Sequence, residues 1–420
     1  SDLNLVNVTI TGNTTGWGGG ISCNASDLIL VNVTITGNSA YENGGGIYCW
    51  HSSSLSFDSV DRCNIFLNFA GSGWDLYAYN CNTIDVIVDT FTVFQPDNYF
   101  AYPIDNFTFD ILNAKIEQVD QDLYVSPDGS DDNSGMDVDD PLLTVSYALA
   151  KILADSTNSL IIHLSNGTYS PSQTGERIPL NCRSYVSLLG ENEASTILDG
   201  EGLSRIFMCR NDNNFSIENI TIQNGISFFQ GGGIYCNNSS LSLENLIIID
   251  NTAIADFLFI TCGGGIYCNN SDLSLINVTI SGNTAEKGGG IMCEHDSNIS
   301  LINVTISDNY AYYGGGMNCE YDSNSSLVNV TISDNYAYMY GGGISCMYYS
   351  SPSLFNVTIT GNSTYWSGGG ISCDNNSNPS LVNCILWDNF PDEIDCSANI
   401  TYSDIEGGWA GEGNIDEDPL

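Results

Sequence analysis

Positive charge is what this 420-residue chain has least of: eight Lys and Arg stand against fifty Asp and Glu, a net charge of −42. A field of that sign repels nucleic acid and anionic membrane surfaces, so nucleic acid is removed as a partner. Apolar runs are short too, and none approaches the roughly 20 residues of a transmembrane helix, so no membrane insertion is expected. Helical spacing of apolar residues is missing except at one place. No Cys-x-x-Cys occurs, which argues against zinc. No Gly-rich string is followed by Lys-Ser/Thr and a helix, which argues against a phosphate loop.

What the chain has in abundance is repetition. The string "SLVNVTISDNYAYMYGGGISC" (326–346) returns with small changes along much of the sequence. Its closing cysteines Cys236, Cys268, Cys293, Cys319, Cys346 and Cys373 lie 32, 25, 26, 27 and 27 residues apart. Cys182, Cys209 and Cys396 extend the ladder, and Cys23 and Cys49, 26 apart, mark a second one. The long step of 32 is an insertion at 254–262, around Phe257. A period of this size signals stacked repeats, each unable to bury its apolar face without neighbours.

Within a copy the apolar period is two. Leu327, Val330 and Ile332 alternate with polar residues, as Ile344 and Cys346 do around Ser345, which predicts three short strands per rung of about 26 residues. The architecture expected is all-β, a right-handed parallel β-helix; the hand follows the general preference of crossover connections. Asn219, Asn245, Asn277, Asn303, Asn329, Asn356 and Asn383 fall between two strands, where Asn tolerates a left-handed corner and can bond to the same amide on adjacent rungs. They are expected to form a buried amide ladder. Triple glycines such as Gly314, Gly315 and Gly316 supply a corner of positive φ or close backbone approach.

Several of these asparagines sit in "NVT" sequons, but a buried ladder amide cannot accept a glycan. The glycosylation candidates are therefore Asn237, Asn298 and Asn324, in the variable loop after the cysteine. Fifteen cysteines point to an oxidising, extracellular or cell-surface setting. The ladder cysteines share the phase of the core residues, so a buried thiol stack is expected, with disulfides between some rungs left open.

Three segments follow from the repeat. Residues 1–83 read as the end of a first β-helix, since "SDLNLVNVTI" at the start matches "SDLSLINVTI" at 271–280. Residues 84–122 break the repeat and read as cap and linker strands. Residues 123–420 read as a second β-helix with an N-terminal cap at 123–155, where Leu142, Val145, Leu149 and Ile152 have helical spacing. The run "YVSPDGSDDNSG…DPLLTVSYALAKI…IIHLSNGTY" resembles the N-terminal cap of secreted bacterial pectate-lyase-like β-helix proteins. The repeats, with "CILWDN" and "ITYSDIEGG" beyond them, resemble bacterial surface proteins of the right-handed β-helix repeat type. That resemblance implies secretion and surface attachment, and it says little about a reaction.

Catalysis is tested by what lyase chemistry needs, a basic residue to abstract a proton and Ca²⁺ to neutralise the sugar carboxylate. From Ile234 onward the only Lys or Arg is Lys287, while Arg177, Arg183, Arg205 and Arg210 cluster near the cap. Paired aspartates with Gly-His-Gly and Arg-x-Lys are absent, and His51, His163 and His295 have no evident partner in sequence. No cofactor is required, although Asp128, Asp131 and Asp132 form an oxygen-rich turn able to hold calcium. Aromatics gather before the triple glycines: Tyr310, Tyr312, Tyr313, Tyr336, Tyr338, Tyr340, Tyr365 and Trp366. They read either as packing between rungs or as a binding stripe, with Tyr312, Tyr313, Tyr338, Tyr340 and Trp366 its candidate residues. The expected function is a non-enzymatic, secreted or cell-surface β-helix with a structural or adhesive role, its partner a surface polysaccharide or protein. The alternatives are a filament subunit whose first rung continues the coil of another copy end to end, and a polysaccharide lyase or hydrolase.

Overall fold

The computed structural model describes residues 3–254 and 260–419. Of the insertion at 254–262, residues 255–259, Phe257 among them, lie outside the described residues. The chain forms two compact units: Ser1–Gln121 with Ser146–Leu153 and Pro179–Asn181, and Asp122–Val145 with Ala154–Ile178 and Cys182–Leu420.

In the first unit, successive copies of the same string stack in parallel. Leu3–Val6 pairs with Asp27–Val31, which pairs with Ser54–Phe57. Thr9–Thr11, Thr34–Thr36 and Cys63–Phe66 form a second column. Residues 84–122, expected to break the repeat, instead continue that column with two long parallel strands, Ile84–Phe91 and Phe107–Ala114. The motif is lost there because one uninterrupted strand replaces two short ones and their Asn corner, so the alternation survives without the signature residues.

The second unit is the regular coil. Copies of the "SLVN" strand, such as Ser300–Ile302, Ser326–Val328 and Ser353–Phe355, stack in register with Leu301, Leu327 and Leu354 superposed. Thr305–Ser307, Thr331–Ser333 and Thr358–Thr360 superpose Ile306, Ile332 and Ile359. A further sheet runs from Phe207–Arg210 to Ile394–Asp395 and superposes Cys209, Cys236, Cys268, Cys293, Cys319, Cys346 and Cys373. Leu327, Ile332, Ile344 and Cys346 are fully buried. At about 1.5–3 kcal/mol for each large aliphatic side chain, repeated rung after rung, this column drives the fold. The thiol stack expected from sequence is present: Cys236, Cys268, Cys293, Cys319 and Cys346 are free and buried, while Cys182–Cys209 and Cys373–Cys396 are disulfides near its two ends.

The corner asparagines need correction. Asn219 to Asn383 do adopt the left-handed conformation, Asn329 with φ 54°. Their amides do form a ladder, Nδ2 of Asn303 donating to Oδ1 of Asn277 (3.2 Å) and Asn329 to Asn303 (3.3 Å). That ladder is on the outside, however, with Asn277, Asn303, Asn329, Asn356 and Asn383 exposed. A different column fills the core: Asn251, Asn283, Asn309, Asn335, Asn362 and Asn389, none more than 7% exposed. Each donates Nδ2 to Oδ1 of the next, at 2.9 Å for Asn309, Asn335 and Asn362, and each backbone N–H bonds to that same oxygen. The last amide, on Asn389, ends on the Glu393 carboxylate. The position follows a left-handed residue such as Asp308 or Asp334, which turns the next side chain inward.

The glycine corner works by both mechanisms. Gly314 has φ +63°, whereas a Cβ on Gly315 would stand 2.5 Å from the Gly342 carbonyl of the next rung. The one α-helix among the described residues is Val145–Lys151, and its residues from Ser146 group with the first unit rather than the second.

Candidate functional site

The tyrosine strands Tyr310–Tyr313 and Tyr336–Tyr340 pair in parallel, as does Ser363–Thr364 beside them. Small core residues, Ala311 and Ala337, sit on the inner side, which sends the flanking rings outward. All five candidate aromatics come together there. Tyr312 contacts Tyr338 (centroids 4.9 Å) and Tyr338 stacks on Tyr365 (5.9 Å, 7° between planes). Tyr313 stacks on Tyr340 (6.2 Å), and Trp366 meets Tyr365 edge-on. Tyr310 and Tyr336 form a further stacked pair, as do Tyr321 and Tyr348 on another strand connection. Rings inside a column therefore spend their faces on one another and offer rims and hydroxyls to solvent. Open ring surface is concentrated at the end of the column, on Tyr365 (70% exposed) and Trp366 (56%).

The acidic turn does something other than collect a cation. Asp131 accepts the backbone N–H groups of Leu143 and Thr144 (3.0 Å each) and the Thr144 hydroxyl (2.8 Å), holding the chain just ahead of the helix. Asp128 and Asp132 are exposed. No group of three or more His, Cys, Asp or Glu placed to hold a metal occurs among the described residues, and what the structure gives Asp131 is a structural role. Asn298 and Asn324 are exposed, Asn237 half-buried. Asn298 and Asn324 knit the outer loop, each donating Nδ2 to a backbone carbonyl two residues back.

Basic residues near the regular coil are engaged. Arg205 donates to the Ser227 hydroxyl (2.9 Å), and Arg205 and Arg210 both lie over the Tyr235 ring. Lys287 donates to both oxygens of Glu320, at 2.7 and 2.9 Å. Glu320 is fully buried on the outer side of the cysteine sheet, together with Asn318, Met292, Tyr267 and Cys262. Burial opposes the Lys287 charge, but the hydrogen bonds and charge of Glu320 outweigh it and hold the ammonium above its ordinary range. Tyr267 donates to Glu294 (2.8 Å), and its hydroxyl is pushed up, chiefly by burial. Cys262 is pushed up to about 12 by burial, so its thiol is inert at neutral pH. The histidines, unpartnered in sequence, stack on rings in space: His51 on Trp50, His163 on Tyr124 and His295 on Tyr321. A cleft of about 420 Å³ in the first unit is lined by Ser54, Phe57, Asp85 and Ile87 among others, with no basic group in its walls.

Sequence reasoning missed the Lys287–Glu320–Asn318 cluster because its members lie 31 and 33 residues apart, one rung plus an offset. A signal did exist, since Lys, Asn and Glu stand at repeat positions that hold Tyr313, Ser345 and Met347 on following rungs.

Residues 205–386 match the family described as right handed beta helix region. Residues 7–24 and 32–49 each match the Chlamydia polymorphic membrane protein repeat. Pectate lyase PEL9 of Emericella nidulans is 42% identical over 84 residues, which are 20% of this chain and 19% of that protein. The matched segment is thus about a fifth of the relative's length. Among solved structures, pectate lyase Pel9A is similar with 13% identity and a TM-score of 0.44, covering 70% of this chain and 80% of that one. Pectin methylesterase from carrot is similar with 11% identity and a TM-score of 0.34, covering 70% and 85%. Register and rung length make the chain an all-β parallel β-helix, similar over residues 205–386 to the right handed beta helix region family.

Proposed function

We propose that this is a non-catalytic, extracellular surface β-helix that adheres to a neutral polysaccharide through the open end of its aromatic columns. The observation that carries the reading is the placement of Lys287: the only Lys or Arg from Ile234 onward is turned onto a buried carboxylate, Glu320, at 2.7 and 2.9 Å. A proton-abstracting base has to be neutral and face a substrate. The −42 charge disfavours acidic glycans as well. Open faces on Tyr365 and Trp366 offer a sugar ring the apolar surface that an amphipathic aromatic provides. The name of the repeat matched at 7–24 and 32–49 places that repeat in membrane proteins of Chlamydia, which supports a surface setting.

A second reading, a pectate lyase, is favoured by the 42% identity over 84 residues to pectate lyase PEL9. One experiment separates them. The protein is incubated with polygalacturonate plus calcium and, in parallel, with xylan and cellulose, while unsaturated product absorbance and Trp fluorescence are followed. Retention on the neutral polymers with no product is expected, and Tyr365→Ala/Trp366→Ala should abolish retention. Unsaturated product that disappears in Lys287→Met would overturn the adhesive reading in favour of the lyase.

A further inference from the structure

Two departures from the repeat, Lys287 and Asn318, converge on one buried carboxylate, Glu320. Lys287 occupies a corner column otherwise held by Gln230, Cys262, Tyr313, Tyr340 and Ser367. Asn318 occupies an outward column with Tyr235, Tyr267, Met292 and Ser345, and Glu320 lies two residues further on the same strand, Met317–Glu320. Glu320 Oε1 accepts Lys287 Nζ at 2.7 Å and Asn318 Nδ2 at 3.0 Å. The amine and the carboxamide nitrogen thus lie within the sum of those two distances, bridged by one carboxylate.

The surroundings are those of a reaction chamber rather than of a surface ion pair. Asn318 and Glu320 are fully buried, and Met292, Tyr267 and Cys262 form an apolar cluster beside them. Asn318 Oδ1 and the Ser345 hydroxyl, which is paired with Asn318 in register on the next rung, are both buried without a hydrogen-bond partner. A stable resting amide is expected to have its oxygen satisfied; here the carbonyl is left open, with an O–H donor one strand away.

We propose that Lys287 and Asn318 join through an intramolecular amide bond, with Glu320 as the proton carrier. A proton passes from the Lys287 ammonium to Glu320 within their 2.7 Å hydrogen bond, a transfer that runs against the ion pair at rest and is drawn forward by the loss of ammonia later in the sequence. This internal transfer needs no exchange with solvent, so it is compatible with a lysine that stays charged toward bulk water. The neutral Nζ attacks Cγ of Asn318, forming the N–C bond, and the carbonyl oxygen takes the negative charge, on the rung beside Ser345. Glu320 delivers its proton to Nδ2, the Cγ–Nδ2 bond breaks, and ammonia leaves. Glu320 collects the remaining Nζ proton and passes it to the ammonia. In sum, one ammonium and one carboxamide become a secondary amide and an ammonium ion, with Glu320 unchanged and nothing oxidised. The product ties the glycine corner of one rung to the strand of the next, a covalent staple across the direction in which a pulled coil would unzip.

Lys287 is also the only tryptic site after Arg210, which makes the test direct. The full chain is denatured, reduced, alkylated and digested with trypsin, and its intact mass is measured in parallel. The bond predicts that 211–420 survives as one fragment and that the mass is lower than the sequence mass by one ammonia, once reduction has been accounted for. Fragment spectra should join Lys287 to Asn318. In Glu320→Gln and Asn318→Ala, trypsin should cut after Lys287 and the full mass should return. Cleavage of the wild-type chain at Lys287, with or without ammonia loss, overturns the proposal, and this result stands even if the variants fold poorly. Resistance that persists in both variants overturns it too.

Discussion

Replacing Asn335 by Ala removes one amide from the buried ladder, and the structure specifies what is left behind. Asn335 Oδ1 accepts the Asn309 backbone N–H (3.0 Å) and Asn309 Nδ2 (2.9 Å), and Asn335 Nδ2 donates to Ile306 O (2.9 Å) and Asn362 Oδ1 (2.9 Å). Asn362 Oδ1 keeps the Asn335 backbone N–H (3.0 Å), and Asn309 Nδ2 keeps Ile280 O (3.0 Å). Four groups therefore lose a partner in the buried core; Asn309 Nδ2 and Asn362 Oδ1 keep the second one, whereas the Asn309 backbone N–H and the Ile306 carbonyl lose theirs. At about 1–3 kcal/mol for each buried orphan, with some relaxation, the expected cost is about 4 kcal/mol. The control is Asn329→Gly in the outer ladder. It breaks two comparable bonds, 3.3 and 3.1 Å, but at an exposed corner where water replaces them, and Gly retains the left-handed φ of 54°, so less than about 1 kcal/mol is expected. Hydrogen exchange at rungs 305–335 and 331–362 reads the local opening free energy. Exchange near Asn309 should accelerate by about a thousandfold in Asn335→Ala, since 1.4 kcal/mol is a factor of ten, and by less than about tenfold in Asn329→Gly. Equal effects of the two variants would refute the assignment of inner and outer ladders.

Two further outcomes follow from buried groups. Burial, with Glu406 adding to it against the opposing hydrogen bonds from Asn389, pushes Glu393 up to about 7. Its folded pKa lies above its unfolded one, so its contribution is complete below about pH 4.5 and is lost as pH rises through about 7, up to about 3 kcal/mol in total. Thermal unfolding compared between wild type and Glu393→Gln should show this loss only in wild type; parallel pH profiles would refute it. Eleven cysteines are free, and all but Cys81 are buried. A maleimide should therefore label Cys81 alone in the native state and eleven thiols in denaturant without reductant. Rapid native labelling of Cys293 or Cys319 would contradict the closed core.

Much of this was legible in the repeat. Leu327, Ile332, Ile344 and Cys346 were readable as core residues because each alternates with polar neighbours and recurs at the rung period, and the close approach at the glycine corner follows from its composition. The two asparagine columns show where that reading stops. Asn303 and Asn309 recur with the same period, and a period says that two residues superpose, not whether they superpose inside or outside a corner. The direction is set by the backbone: Asn303 carries the left-handed φ itself and points out, whereas Asn309 follows left-handed Asp308 and points in. The structural role of Asp131 was hidden for a related reason. Oxygen-rich turns are common, and only the placement of the Leu143 and Thr144 amides shows that the carboxylate is already occupied.

By itself, then, the sequence determined the period, the strand alternation, the parallel stacking and the acidity, because each of these is a property of one rung multiplied. Tertiary structure alone decided which amides are dry, that the aromatic faces are spent on each other until Tyr365 and Trp366, and that Lys287 meets Asn318 and Glu320. These are relations between neighbouring rungs at unequal offsets, settled by a few degrees of backbone at each corner, and no single copy of the repeat contains them.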